Sequence, residues 1–330
     1  MFLLAVPPSR LFLGVFPWYG FLIVLGAGLA VLLADREAGR QHLPKDSVID
    51  LALRVLPAGI LGARLYYVLF SWQEYIGHPL SILFIWEGGL AIYGGLIAGF
   101  LVVLLFCRRR KLSLFLVLDI LVPGVSLAQA IGRWGNYFNQ EAYGLPLRQG
   151  SPLCFFPLAV LIRSSAGSEW HLAAFFYESV LDLLIFLFLL WGRRRFFRRQ
   201  GDVLCFYLLL YAAGRLVIED LRMDSLYLGS SIRVSQLLSV LLCLLVFLFF
   251  LGRSLAFRTK AADILRSAGS LIALLFTGLV LWFCICGSFP WGTSKTSEII
   301  LLLAYSACMV LNAVIAYVRI PSSEVCYARK

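Results

Sequence analysis

Gly132-Arg133-Trp134-Gly135-Asn136-Tyr137-Phe138-Asn139-Gln140-Glu141-Ala142-Tyr143-Gly144 closes an otherwise apolar run that begins near residue 113. An arginine, two asparagines and a glutamate thus sit at the end of a segment of membrane-spanning length. Ionisable groups at membrane depth are costly, and they mark a functional site by default. The rest of the chain places this stretch in a bilayer. Hydrophobic residues make up 61% of the 330 and charged residues 14%, against roughly half and a quarter in soluble domains.

A spanning helix needs about 20 mostly apolar residues. Nine segments meet this demand: 12–33, 49–70, 89–107, 113–133, 173–192, 203–219, 233–252, 268–287 and 298–318. The first is too long for the h-region of a signal peptide, lacks a small-residue cleavage site and is followed by further spans, so it is expected to be a retained helix. No internal repeat and no soluble domain are evident. The stretch 137–172 is a long mixed loop, expected to form a small head or lid.

The net charge of +11 invites a nucleic-acid partner, but its distribution argues for none. With the N-terminus outside and the C-terminus cytoplasmic, 19 of the 29 Lys and Arg residues fall on inner loops and six on the outer side. Arg54, Arg64, Arg133 and Arg215 lie within spans. This is the positive-inside distribution. The runs Arg108–Lys111 and Arg193–Arg199 are topology anchors, with binding to anionic lipid as a possible companion role. The eight cysteines and three histidines follow no metal spacing; neither metal nor cofactor is expected.

Topology gathers five helix ends on the outer side: Trp18-Tyr19-Gly20, Gly62-Ala63-Arg64-Leu65-Tyr66, the Trp86–Gly95 segment with Glu87 and Tyr93, the Arg133 stretch, and Gly214-Arg215 through Glu219 to Arg222. Arg215, Glu219 and Arg222 fall at i, i+4 and i+7, on one helix face, and Arg133 and Asn136 at i and i+3. Two arginines converging from different helices need an anion between them, and the planar guanidinium fork suits phosphate. Glu87, Glu141 and Glu219 are then expected to neutralise and orient the guanidinium groups. The pairs Gly88-Gly89 and Gly94-Gly95 permit close approach of backbone, to a helix or to a ligand.

At these residues the chain resembles the bacterial prolipoprotein diacylglyceryl transferases. Their signature is Gly-Arg-x-Gly/Ala-Asn-Phe-x-Asn-x-Glu-x-x-Gly, which residues 132–144 follow with Tyr137 in place of Phe. Trp18-Tyr19-Gly20, Gly62-Ala63-Arg64, the 86–95 segment and Arg215–Arg222 match in order, so the resemblance covers roughly residues 10–252. It implies transfer of the sn-1,2-diacylglyceryl group from phosphatidylglycerol to the lipobox cysteine thiol of a prolipoprotein in the inner membrane, with release of glycerol 1-phosphate. It also implies an all-α polytopic fold: a seven-helix body over 1–252, a small periplasmic head, and two appended C-terminal transmembrane helices over 253–330. The implied catalytic set is Arg133, Arg215, Tyr93 and Glu141, with Tyr19, Arg64, Asn136, Asn139, Gly144, Glu219 and Arg222 binding substrate.

Two departures stand out within the matched region. Tyr177-Glu178 is present, but the His-Pro that often precedes it is not, His171 falling one residue off register. Tyr93 stands where many members carry His. A phenol with an ordinary pKa near ~10 is a poor base at neutral pH, which leaves Tyr93 to orient the thiol or the leaving group. The competing reading is a lipid or anion transporter with an arginine-lined site.

Overall fold

The computed structural model describes residues 9–164, 167–223, 225–228, 232–256 and 295–318. Helix dominates, and among the described residues six helices are long and apolar enough to cross a membrane. The long helices are α1 (Trp18–Arg40), α2 (Ser47–Phe70), α4 (Ile92–Arg110), α5 (Leu114–Asn139), α6 (Ala174–Arg195), α7 (Asp202–Leu221), α8 (Val234–Ala256) and α9 (Lys295–Val318); α3 (Trp72–Tyr75) is a single turn. All the expected spans except 268–287, which lies outside the described residues, coincide with a long helix. The two long helices that miss the apolar criterion are α2 and α7. These carry Asp50, Arg54 and Arg64, and Asp202, Arg215, Glu219 and Asp220. Ionisable residues inside segments of this length mark function by default.

The chain divides into two compact units, residues 30–124 and the remainder. In the first, α2 packs on α4 through small residues. A Cβ on Gly62 would meet Gly94 O at 2.7 Å, and one on Gly94 would overlap Gly62 O and Tyr66 Cβ. Between helices in lipid there is little hydrophobic driving force, so close backbone approach does the work. The N-terminal parts of α2 and α5 and the C-terminal part of α4 close over a core of Leu51, Val103, Phe106, Cys107 and Val117.

In the second unit, three hydrogen bonds set the register of α5 on α6. Ser126 Oγ donates to Asp182 O (2.7 Å), Ser179 Oγ to Ala130 O (2.7 Å), and Trp134 Nε1 to Ser179 Oγ (3.1 Å). Residues 126, 130 and 134 repeat every four positions, along one helix face. Helix α5 runs through the arginine stretch as far as Asn139, so the expected loop begins later than the sequence indicates. Two antiparallel strands follow, β3 (Ala159–Ser164) and β4 (Gly167–Leu172), the first labels being kept for the short pairs Leu11–Phe12 (β1) and Phe16–Pro17 (β2). The hairpin packs through Val160 onto Tyr137, Ala173 and Phe175. The hairpin lies in the stretch expected to form a small head, and the aromatic cluster under it is shared with α5 and α6.

Helix α9 packs on α7 and α8, and Ser306 Oγ donates to Ala213 O at 2.9 Å.

Candidate active site

Glu178, buried near the start of α6, is the centre of the charged cluster. Its Oε2 lies 2.9 Å from Arg133 Nη1 on α5, its Oε1 pairs with Arg215 Nη1 on α7, and Arg222 Nη1 is 3.2 Å from the same Oε1. Arg215 also pairs with Glu219 one turn on (Nη2 to Oε2, 2.7 Å). Asp182, one turn below Glu178, approaches Arg133 Nε at 3.9 Å, and Tyr211 lines the same void as Arg133. The cluster therefore holds Arg133, Arg215 and Arg222 against Glu178, Asp182 and Glu219. A small void is lined by Arg133, Glu178, Leu181, Asp182, Tyr211, Arg215 and Ile218.

The convergence expected of Arg133, Arg215, Glu219 and Arg222 is present. The anion expected between the two arginines is, in the structure, the carboxylate of Glu178. This residue and Asp182 are the ones that sequence reasoning left out of the site. Their signal was available: both are acids inside the apolar segment 173–192, four residues apart, and such a pair shares a helix face.

The remaining expected residues of this unit frame the cluster. Gly135 lets α1 approach, since a Cβ there would overlap the Tyr19 ring, and Trp18 stacks on Phe138 (4.6 Å, 10°). Asn139 Nδ2 donates to Glu141 Oε1 at 3.1 Å. Glu141 is exposed, and it is flanked by Gln140 and Ala142 at φ +57° and +54°. A left-handed residue just past a helix is a common cap. A second one that is not glycine costs about 1–3 kcal/mol, and strain of this kind clusters at functional sites. Asn136 O accepts from Glu141 N at 3.0 Å, closing the turn. Gly144 sits where a Cβ would meet Leu221 O at 2.8 Å and Leu172 Cβ at 2.9 Å. Bridged to Arg222 and bonded through its N–H to Leu172 O at 2.7 Å, it ties the strand β4 to the end of α7. Gly144 thus fixes where Arg222 begins.

Arg64 and Tyr93 lie in the other unit. Arg64 is buried, and its guanidinium donates to four backbone carbonyls: Ser81 O (2.7 Å), Ile82 O (2.9 Å), Gly88 O (2.7 Å) and Gly89 O (3.1 Å). It also stands 5.3 Å over the Tyr75 ring. All four of these hydrogen-bond partners are main-chain oxygens. Its donors shape the segment between α2 and α4, whose Gly88 and Gly89 have φ +94° and +67°, a conformation open to glycine. Tyr93 belongs to the first turn of α4.

Comparison with known proteins agrees with this architecture. Residues 11–252 match the family model described as prolipoprotein diacylglyceryl transferase. The chain is 48% identical over 227 residues to the phosphatidylglycerol–prolipoprotein diacylglyceryl transferase of Enterococcus faecalis, covering 68% of this chain and 82% of that protein. The enzyme of the same name from Streptococcus agalactiae is 44% identical over 243 residues, 73% and 93% of the two chains. That of Limosilactobacillus reuteri is 46% identical over 226 residues, 68% and 82%. The match takes in α5, α6 and α7 with every arginine and carboxylate of the cluster, and the chain belongs to the prolipoprotein diacylglyceryl transferase family.

Proposed function

We propose that this chain transfers the sn-1,2-diacylglyceryl group from phosphatidylglycerol to the lipobox cysteine of prolipoproteins, at the outer side of the bacterial inner membrane. The observation that carries this reading is the buried set of Arg133, Arg215 and Arg222 on Glu178 in a chain of this family. The cysteine thiolate is the nucleophile. It attacks the glyceryl carbon that bears the phosphate; the S–C bond forms, the C–O bond breaks, and glycerol 1-phosphate leaves. Charge then grows on the phosphate. Arg133 and Arg215 neutralise it, each worth about 3–4 kcal/mol if they act as oxyanion donors do in a dry site. In the free enzyme Glu178 holds the forks together, and the arriving phosphate competes for them.

Glu219 orients Arg215, and Arg222 extends the anion site. Tyr19, Asn136, Asn139, Glu141 and Gly144 line or shape the approach of lipid and peptide, and Tyr93 orients the thiol or the leaving group. Residues 1–252 form the catalytic body, a seven-helix bundle with the 137–172 region as its periplasmic head. Residues 253–330 are an addition to it. The bias of Lys and Arg supports an outward N-terminus and a cytoplasmic C-terminus.

The test is a lipobox peptide incubated with purified protein and phosphatidylglycerol vesicles. Mass spectrometry should show the peptide gain one diacylglyceryl group. No mass gain, together with protein-dependent movement of phosphatidylglycerol between leaflets, would favour the transporter instead.

A further inference from the structure

The basic run at the end of α4 has a use beyond anchoring. A cavity of about 250 Å³ opens there, lined by Arg54 of α2 and Val102, Leu105, Phe106, Arg109 and Arg110 of α4. Phe106 is buried, and the guanidinium carbons of Arg54 and Arg110 stand 5.5 and 5.6 Å from its ring centre. Stacking on an aromatic ring holds a guanidinium in place at little entropic cost. One carboxylate serves both groups: Asp50 Oδ2 is 2.5 Å from Arg110 Nη2 and 3.6 Å from Arg54 Nη1. Arg109 forms no ion pair with a described residue. Three guanidinium groups therefore face one carboxylate, and the cavity keeps an excess of positive charge.

The walls are half apolar. Leu105 is exposed, as are Leu101 and Ile97 above it. Positions 97, 101, 105 and 109 repeat every four residues, so an apolar track on one face of α4 leads down to Arg109. Fixed guanidinium forks at the foot of an apolar track suit a ligand with a phosphate at one end and a long hydrocarbon chain at the other. A free phosphate ion would leave Val102, Leu105 and the track unused.

We propose that this cavity binds the headgroup phosphate of an anionic phospholipid, with an acyl chain laid along Leu105, Leu101 and Ile97. It shares no residue with the Arg133 cluster. A lipid held here is a resident of α2 and α4, not the substrate of the transfer.

The experiment compares full-length wild type with Arg54→Gln/Arg110→Gln and with Arg109→Gln by native mass spectrometry. Phosphatidic acid and phosphatidylcholine are titrated at equal concentrations. At about 1 kcal/mol per arginine near an anionic headgroup, the single variant should hold one phosphatidic acid about fivefold more weakly and the double variant about thirtyfold. Phosphatidylcholine should bind all three alike. Arg109→Gln leaves the Asp50 pairs intact, so it decides the matter should the double variant fail to fold. Equal retention of phosphatidic acid by wild type and Arg109→Gln would overturn the site. Displacement of the lipid by equimolar inorganic phosphate would do the same, showing a bare ion site.

Discussion

Arg64 and Glu178 are both buried charges, and the protein satisfies them in opposite ways. Arg64 is one cation that collects four main-chain carbonyls from a single segment. Glu178 is one anion that collects three arginines from α5 and α7. Carbonyls cannot leave without unfolding the segment that carries them, so the Arg64 arrangement is a permanent staple. A carboxylate shared by three forks can give way to another anion of suitable shape. The contrast is between an arginine engaged by one stretch of backbone and arginines that share one carboxylate, the set we propose receives the phosphate, although all of them sit near helix ends in an apolar chain.

The sharpest break of this comparison is Glu178→Gln. The substitution leaves three guanidinium groups gathered without their common counter-charge, and breaking a buried ion pair by removing one partner costs about 3–5 kcal/mol. Stability should fall by that amount, and diacylglyceryl transfer to a lipobox peptide should fall on the order of 1000-fold because the forks lose the group that positions them. Wild-type turnover in a folded Glu178→Gln protein would mean the carboxylate is incidental. Next in size is Arg133→Lys, which keeps the charge and loses the fork. Turnover should drop about 100-fold with the melting curve little changed, since the loss is of one preorganised donor set. A lysine enzyme that works normally would remove the phosphate clamp from the mechanism.

Arg64→Ala should behave as the mirror of these two. Four carbonyls lose a charged donor, and stability should fall by about 2–3 kcal/mol, read as a lower melting temperature in detergent. The KM for phosphatidylglycerol of the surviving folded fraction should stay within about threefold, since the lost donors face carbonyls and not the lipid. A large rise in KM with an unchanged melting curve would instead place Arg64 on the substrate. The smallest effect is expected of Tyr317→Phe. The Tyr317 hydroxyl stands 2.9 Å from both Phe196 O and Asp202 Oδ2, and its removal should cost about 1 kcal/mol of stability. Transfer activity should be untouched, which a peptide assay beside a thermal melt will show.

Long apolar runs made the helices legible, and helical spacing made one face of Arg215, Glu219 and Arg222 legible. Helix ends were less so. The helix α1 continues to Arg40 because Ala34 and Ala38 are buried in a packed contact, which no hydropathy window at 12–33 registers. The partners of Arg64 were hidden for a plainer reason: they are backbone oxygens, and every residue carries one. Glu178 was visible as an acid in an apolar segment, but its position at the start of α6 was not counted among the converging helix ends. Its three partners come from residues 45 positions earlier and 37 and 44 later, a closeness that only tertiary packing creates.

Helix α7 is fastened at both of its ends. At one, Arg215 and Arg222 grip Glu178. At the other, Asp202 accepts from the backbone N–H groups of Arg198 and Arg199 and from Arg253 Nη1. A one-turn ratchet of about 5.4 Å would break both fastenings together and leave the buried carboxylates without their partners. Sliding is thus closed to this helix as a working motion. Whatever movement admits a lipid and a peptide must be carried by its loops and neighbours, while α7 itself serves as the fixed rail.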